Sequence, residues 1–271
     1  MTEFVPWLVV LPAALAAAWF SFRFAWWRRT APYEMPRILM YHMVRDPLPG
    51  GRFNKMRVSP ALFRRQVEWL AKDGWTFCFL SELLENPSSA PKRVALTFDD
   101  GYRDNLTNAL LVLREFHAKA TLFPVVKRDE GYDWSTQKKA SHGGGELGRE
   151  PKLSDDEIRE MLASGLVELG GHSLTHANLP ALGDDEARRE IAGCKEQLEA
   201  TFGVRVPTFC YPFGLFGDRE ARLCREAGYL GATTTEQGVG MDDPFALPRI
   251  KVSGSEGMFA FRLRLRTGKR N

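Results

Sequence analysis

From residue 37 onward the chain alternates short apolar runs with longer amphipathic stretches, so the pattern switches between a strand period and a helix period. Val94, Leu96 and Phe98 interleave with Ala95 and Thr97, all apolar or β-branched, which predicts a strand buried on both faces. Similar runs predict strands at 38–44, 75–80, 120–126, 167–169, 208–213, 229–235 and 248–253. Between them, Ser59-Pro60 supplies an N-cap and a proline at the first helical position. Leu62, Phe63, Val67 and Leu70 mark that helix's inner face, and Gly74 its end. Residues 105–117 predict a helix with Leu106, Leu110, Leu113 and Phe116 inward. Ser154-Asp155-Asp156-Glu157 has the capping-box pattern and opens a helix through Ile158, Met161 and Leu162. A long helix over 184–202 closes at Gly203, and another covers 218–227. Such alternation argues for an α/β fold with a parallel sheet, and in one domain of this size for a barrel. Catalytic groups at strand C-termini would then meet on one face.

Two regions break the rhythm. Residues 127–152 carry Gly131-Tyr132, Trp134 and Gly143-Gly144-Gly145 between charges. A loop of that length is either functional or a floppy insertion, and its aromatics suit stacking on sugar rings. At the N-terminus, 4–22 is nineteen residues without a charge, about 28 Å at helical rise and close to a bilayer core. Trp19, Trp26 and Trp27 suit an interfacial belt. The start lacks the basic flank of a cleaved leader, whereas Arg23, Arg28 and Arg29 follow the apolar run. The expectation is therefore a transmembrane helix within a membrane-anchor segment over 1–29, with the arginines favouring a cytoplasmic catalytic domain over 30–258.

Composition changes this picture little. With 44% hydrophobic and 26% charged residues the body is an ordinary globular domain. Its four cysteines show no Cys-x-x-Cys spacing or disulfide framework. Residues 259–266 alternate apolar with cationic side chains, and 259–271 carries five positive charges. That basic amphipathic tail is expected to lie against anionic headgroups or to form a charged edge strand. Without those charges the net +3 becomes slightly negative, so nucleic acid is not an expected partner.

The chemistry concentrates in Thr97-Phe98-Asp99-Asp100-Gly101-Tyr102 and His172-Ser173-Leu174-Thr175-His176. Adjacent carboxylates at the end of a buried strand are costly unless each finds a cation or strong donors. Gly101 lets the backbone turn so that the two can point differently, one ligating a metal and the other contacting its water. His172 and His176 are four apart, so one turn of helix or a helix-like loop would put both imidazoles on one side. Two histidines and a carboxylate form a common catalytic metal set with a position left for water. Only five histidines exist, and this pentapeptide holds two. His117 and His142 receive no functional role.

These motifs resemble the first two of the polysaccharide deacetylase family, also called NodB-homology or carbohydrate esterase 4. Phe209-Cys210-Tyr211-Pro212-Phe213-Gly214 resembles the third, and the similarity spans 36–253. The resemblance implies a distorted (β/α) barrel that hydrolyses N-acetyl groups from amino sugars of a bacterial glycan. It implies one divalent metal ion, zinc before cobalt or nickel. Carried over by position, Asp99 would be the general base, and Asp100, His172 and His176 the metal ligands. The Phe213 N–H would face the oxyanion, with Tyr211 and Arg249 assigned to the oxyanion and substrate side.

Two departures matter. Many members carry an arginine where Cys210 stands, steadying the base; Arg249, in Leu247-Pro248-Arg249-Ile250, is the expected substitute. Many also use a late histidine as general acid, and none follows His176. Deacetylases of poly-N-acetylglucosamine look circularly permuted, with a Tyr/Phe-His strand ahead of the Asp-Asp motif. Tyr41-His42 resembles that strand, making His42 the expected acid in place of a core histidine. The expected partner is an acetylated glycan met at the bacterial inner membrane, although many members work in the periplasm or outside the cell. Two other functions stay open: deacetylation or deformylation of a lipid-linked sugar, and a membrane-tethered, non-catalytic glycan-binding module. The intact Asp/Asp/His/His set argues against the module.

Overall fold

The computed structural model describes residues 5–24, 26–87, 90–128 and 145–268. The chain runs α1 (Val5–Phe24), β1 (Arg37–Tyr41), α2 (Pro60–Lys72), β2 (Thr76–Phe77), α3 (Leu80–Glu85) and β3 (Arg93–Asp100). It continues through α4 (Leu110–Phe116), β4 (Ala120–Pro124), α5 (Asp155–Ala163), β5 (Val167–Leu169) and α6 (Asp184–Phe202). The last elements are β6 (Thr208–Cys210), α7 (Asp218–Glu226), β7 (Gly231–Gln237), β8 (Leu247–Lys251) and α8 (Met258–Thr267).

Every residue of β3 is buried, so this strand needs neighbours on both edges and cover on both faces. It pairs in parallel with β4 and β1, and the path of strands reads β5-β4-β3-β1-β8-β7-β6 with β2 attached to β3. The ends meet just past β5: the Gly171 N–H donates to Thr208 O and the Cys210 N–H donates to Gly171 O, both at 2.8 Å. A Cβ on Gly171 would lie 2.5 Å from the Tyr229 hydroxyl oxygen, so only glycine allows this approach. The result is a parallel, barrel-like α/β fold. β1 sits between β3 and the last strand, and its register Tyr41↔Phe98 sets His42 level with Asp99. Outside β1 and β3, α2 lays down Phe63, whose ring meets Tyr41 at 5.2 Å and Phe98 at 5.8 Å.

Several elements differ from the sequence pattern for physical reasons. The run 75–80 keeps only a two-residue strand, because the Glu82 carboxylate accepts the Phe79 N–H (2.9 Å) and starts α3. The 105–117 helix begins as a wide turn over Asn105–Ala109. There Asn105 Nδ2 donates to His42 O and Asn108 Nδ2 to Val44 O, tying that turn to the end of β1.

The tail is neither a strand nor a free arm. Residues 258–267 form α8, with Ala260, Phe261, Arg264 and Leu265 buried. Phe261 meets Trp69 of α2 at 6.2 Å, and Leu265 O accepts from Arg37 Nε at 2.8 Å. The alternating pattern misleads because Arg264 buries its stem and donates to Lys251 O, so a cationic position faces inward. Among the described residues no helix is long and apolar enough to cross a membrane. The transmembrane helix expected over 4–22, and the inner-membrane placement built on it, are therefore not supported. The end of α1 instead leans on α8, Phe20 meeting Phe259 at 5.5 Å.

Tyr132, Trp134 and most of the 127–152 loop lie outside the described residues. Its final part is anchored. Arg57 is fully buried and donates to Glu146 (2.7 Å) and Glu150 (2.6 Å), and Arg45 also pairs with Glu150. The segment then donates from Leu153 N to Gly101 O and accepts at Pro151 O from Arg103 N, both at 2.9 Å, bracketing the Asp-Asp-Gly turn. Arg57→Ala would leave Glu150 with Arg45 alone and Glu146 with the N–H groups of Arg52 and Phe53, and is expected to cost about 2–3 kcal/mol of unfolding free energy. Urea denaturation followed by circular dichroism measures it, and a loss below about 1 kcal/mol would contradict the bridging role.

Candidate active site

The two aspartates close β3, each only 3% exposed. Asp100 (φ 76°) and Gly101 (φ 77°) are both left-handed, so the chain swings sharply and the consecutive carboxylates part. Asp99 receives a bidentate fork from Arg249 on β8: Nη1 to Oδ1 and Nη2 to Oδ2, each 2.7 Å. Burial works to raise its pKa, but the charge and hydrogen bonds of Arg249 outweigh this and hold Asp99 below the usual range. Asp100 turns the other way. Its Oδ1 lies 3.3 Å from Nε2 of both His172 and His176. Against the pull of burial, those two imidazoles keep it well below the ordinary carboxylate value.

Of the helical turn or helix-like loop expected for the histidines, the structure has a loop. The histidines flank it, and Ser173 (φ 62°) and His176 (φ 57°) are left-handed. The loop is pinned by Glu190 of α6, which accepts from Thr175 N (2.9 Å) and Thr175 Oγ1 (2.8 Å). It is also held by the N–H groups of Val126 and Lys127, which donate to Ser173 O and Leu174 O. The rings nevertheless converge, T-shaped, with centroids 4.8 Å apart.

The donor set fits a divalent metal. Asp100, His172 and His176 are all buried, with ligating atoms within 4.8 Å of one another. The His172 Nδ1–H donates to Cys210 O at 2.7 Å, which turns Nε2 to the shared point. Burial lowers the His176 pKa and favours its neutral imidazole, whereas at His172 the contacts with Cys210 and Asp100 outweigh burial and raise the pKa, so a metal would displace a proton there.

Three further residues were expected at the site. His42 is brought there: Nε2 lies 3.9 Å from Asp99 Oδ2 and the side chain is 19% exposed. Phe213 is also brought there, its ring 4.3 Å from that of His176. Its backbone is left-handed (φ 59°) in a turn that Gly214 (φ 70°) completes. A Cβ on Gly214 would sit 2.1 Å from Thr235 Oγ1. Tyr211 is not brought there. It is fully buried, donates its hydroxyl to Phe245 O (3.0 Å) and stacks on Phe216, which corrects its assignment to the substrate side.

A parallel barrel with paired carboxylates and imidazoles at its strand ends is the layout of a hydrolase that activates water. The family model for polysaccharide deacetylase matches residues 86–232. The Bacillus subtilis protein YxkH, described as a polysaccharide deacetylase, is 27% identical over 243 residues, covering 88% of this chain and 78% of its own. The poly-β-1,6-N-acetyl-D-glucosamine N-deacetylase of Staphylococcus epidermidis is 26% identical over 238 residues, 79% of this chain and 78% of the relative. Among solved structures, the polysaccharide deacetylase BC0361 of Bacillus cereus superposes with a TM-score of 0.71 at 28% identity, covering 85% of this chain and 69% of the other. The chain belongs to the polysaccharide deacetylase family, whose members are metal-dependent carbohydrate de-N-acetylases.

Sequence reasoning missed the residues that hold the first ones. Thr97 bridges two strands, donating to Leu39 O (2.9 Å) and accepting from Arg249 Nη1 (3.0 Å). Asp104 Oδ1 accepts the Val44 N–H (2.7 Å) and with Asn105 fixes the segment that carries His42. The available signal was position: a polar residue inside an apolar strand, and an Asp-Asn pair directly after the Asp-Asp-Gly turn.

Burial raises the Asp104 pKa from 3.8 to about 6. The folded state therefore holds a proton that the unfolded chain has released, and stability falls as pH rises from about 4 to about 6. Asp104→Asn keeps an oxygen for Val44 and removes this penalty. Relative to the unmutated protein its unfolding free energy is expected to rise by about 2 kcal/mol between pH 4 and pH 7. Parallel denaturation curves at the two pH values check this, and a difference that stays flat with pH would refute it.

Proposed function

We propose that the chain is a metal-dependent hydrolase that removes N-acetyl groups from a β-1,6-linked N-acetylglucosamine polymer. The observation that carries the reading is the opposite partnering of two adjacent buried carboxylates, Asp99 with Arg249 and Asp100 with His172 and His176. The polymer is suggested by the relatives that bear its name. Asp100, His172 and His176 would hold the metal, and two imidazoles with one carboxylate suit zinc. When bound there, a divalent ion supplies Lewis-acid polarisation of the acetamide carbonyl and lowers the pKa of the attacking water.

The chain's own residues do the rest. Asp99, kept ionised by Arg249, accepts the proton of the attacking water. The proton that Asp99 takes then passes to His42, directly or through solvent, replacing the one His42 gives to the amine, so that both groups regain their starting forms. His42, close to Asp99 and partly open to solvent, donates a proton to the departing amine. The N–H of Phe213, in its left-handed turn beside His176, stabilises the tetrahedral oxyanion. Acetate leaves, and the sugar keeps a free amine.

Acetate release from an acetylated β-1,6-glucosamine oligomer tests the reading. Asp99→Asn is expected to lower kcat by about 10²–10⁴-fold while keeping its metal content. His176→Ala is expected to lose the metal, read by elemental analysis of the purified variant. Turnover by Asp99→Asn at the unmutated rate would remove Asp99 as the base. No acetate from the metal-loaded, unmutated protein would overturn the assignment as a whole.

A further inference from the structure

Cys210 is the point at which the two halves of the site touch. Its carbonyl accepts from His172 Nδ1 at 2.7 Å, and its thiol sulfur lies 3.2 Å from Arg249 Nη2. A guanidinium has five N–H donors, and in Arg249 all five have an acceptor. Nε donates to Thr234 O (2.9 Å), and Nη1 to Thr97 Oγ1 (3.0 Å) and Asp99 Oδ1 (2.7 Å). Nη2 donates to Asp99 Oδ2 (2.7 Å) and to the Cys210 sulfur. These acceptors come from β3, β6 and β7, so the guanidinium is clamped across the barrel interior. The register shift between Thr233 and Gln237 is where β7 contributes the Thr234 carbonyl.

We propose that Cys210 is a positioning residue for the reaction, setting Arg249 and hence Asp99 through its thiol, and His172 through its carbonyl. Base and metal ligand are thereby held in one frame, an inference that rests on the deacetylase reading. The residue type is suited to the place. Cys210 is fully buried and packs in an apolar cluster with Ile38, Ala95, Phe123 and Leu247, as a small hydrophobe would. Toward Arg249 it is a weak acceptor. A methyl group there would leave a buried charged N–H unpaired. A carboxylate would compete with Asp99 for the guanidinium. A thiol saturates the fork without drawing it from the base.

Cys210→Ala and Cys210→Ser separate the thiol from the carbonyl, which both variants keep. The Ala variant is expected to lose about tenfold in kcat, with KM and metal content unchanged, and the Ser variant to recover most of the loss by restoring an acceptor. A second readout needs no substrate. In ¹³Cζ-correlated ¹⁵N spectra of arginine, a clamped Arg249 gives separate Nη1 and Nη2 signals, assigned by their loss in Arg249→Lys. In Cys210→Ala these signals are expected to broaden or merge, and in Cys210→Ser to stay apart. The proposal is overturned if Cys210→Ala keeps the unmutated Nη pattern and kcat. It is also overturned if Ala and Ser lose kcat and melting temperature equally, since the sulfur would then only fill space. An unmutated protein inactive on the acetylated oligomer would sink the deacetylase reading alone, and the Arg249 spectra would still decide the role of Cys210.

Discussion

Two consecutive carboxylates cannot both stay ionised in a protein interior unless each has its own counter-charge. Like charges about 4 Å apart repel by about 4 kcal/mol at an effective dielectric of 20, before either pays for leaving water. The fold answers by delivering partners from opposite directions. Along the strand path β3 has β4 and β5 on one side and β1 and β8 on the other. Asp100 meets histidines from the loop after β5, and Asp99 meets the arginine of β8. Each partner comes from two strands away, which sends the carboxylates apart and gives them different tasks. The left-handed pair Asp100-Gly101 is the local cost of that divergence.

How much of this could be read from the chain depends on how local the cause is. β3, the Asp-Asp-Gly turn and the caps of α2 and α5 follow from neighbouring residues, and all are visible in the pattern. The placement of both motifs at strand ends follows from the period alone. The histidine loop was legible in its members and not in its shape. Spacing by four suggests a turn of helix or a helix-like loop, and Glu190 and the β4 extension impose a loop with left-handed residues that brings the rings together. Arg249 carries no local signal, since a charge beside a proline in a short strand looks exposed. Its expected role came from resemblance to a family, and its geometry depends on four strands. α8 was misread because its residues alternate with the period of a strand, while the face it buries carries Ala260, Phe261 and Leu265 together with one cation, Arg264. Cys210 was seen as a missing arginine, when its sulfur touches the arginine that replaces it.

The order of strands has a consequence for how the site comes into being. Asp99 and Arg249 are 150 positions apart in sequence, and β1 lies between their strands in the sheet. With β1 seated between them, the guanidinium of the last strand comes within reach of β3. His42 arrives with β1, level with Asp99. Closure on the other side depends on Gly171, whose carbonyl accepts from the N–H of Cys210, the residue whose own carbonyl receives His172. Contacts of such long range carry the entropic cost of closing a long loop. A partly folded chain thus has paired carboxylates without their partners and no competent centre. The charge separation that makes the site chemically useful exists only when the barrel is closed on both sides, so the contacts that close the fold and those that make its chemistry are the same set of bonds.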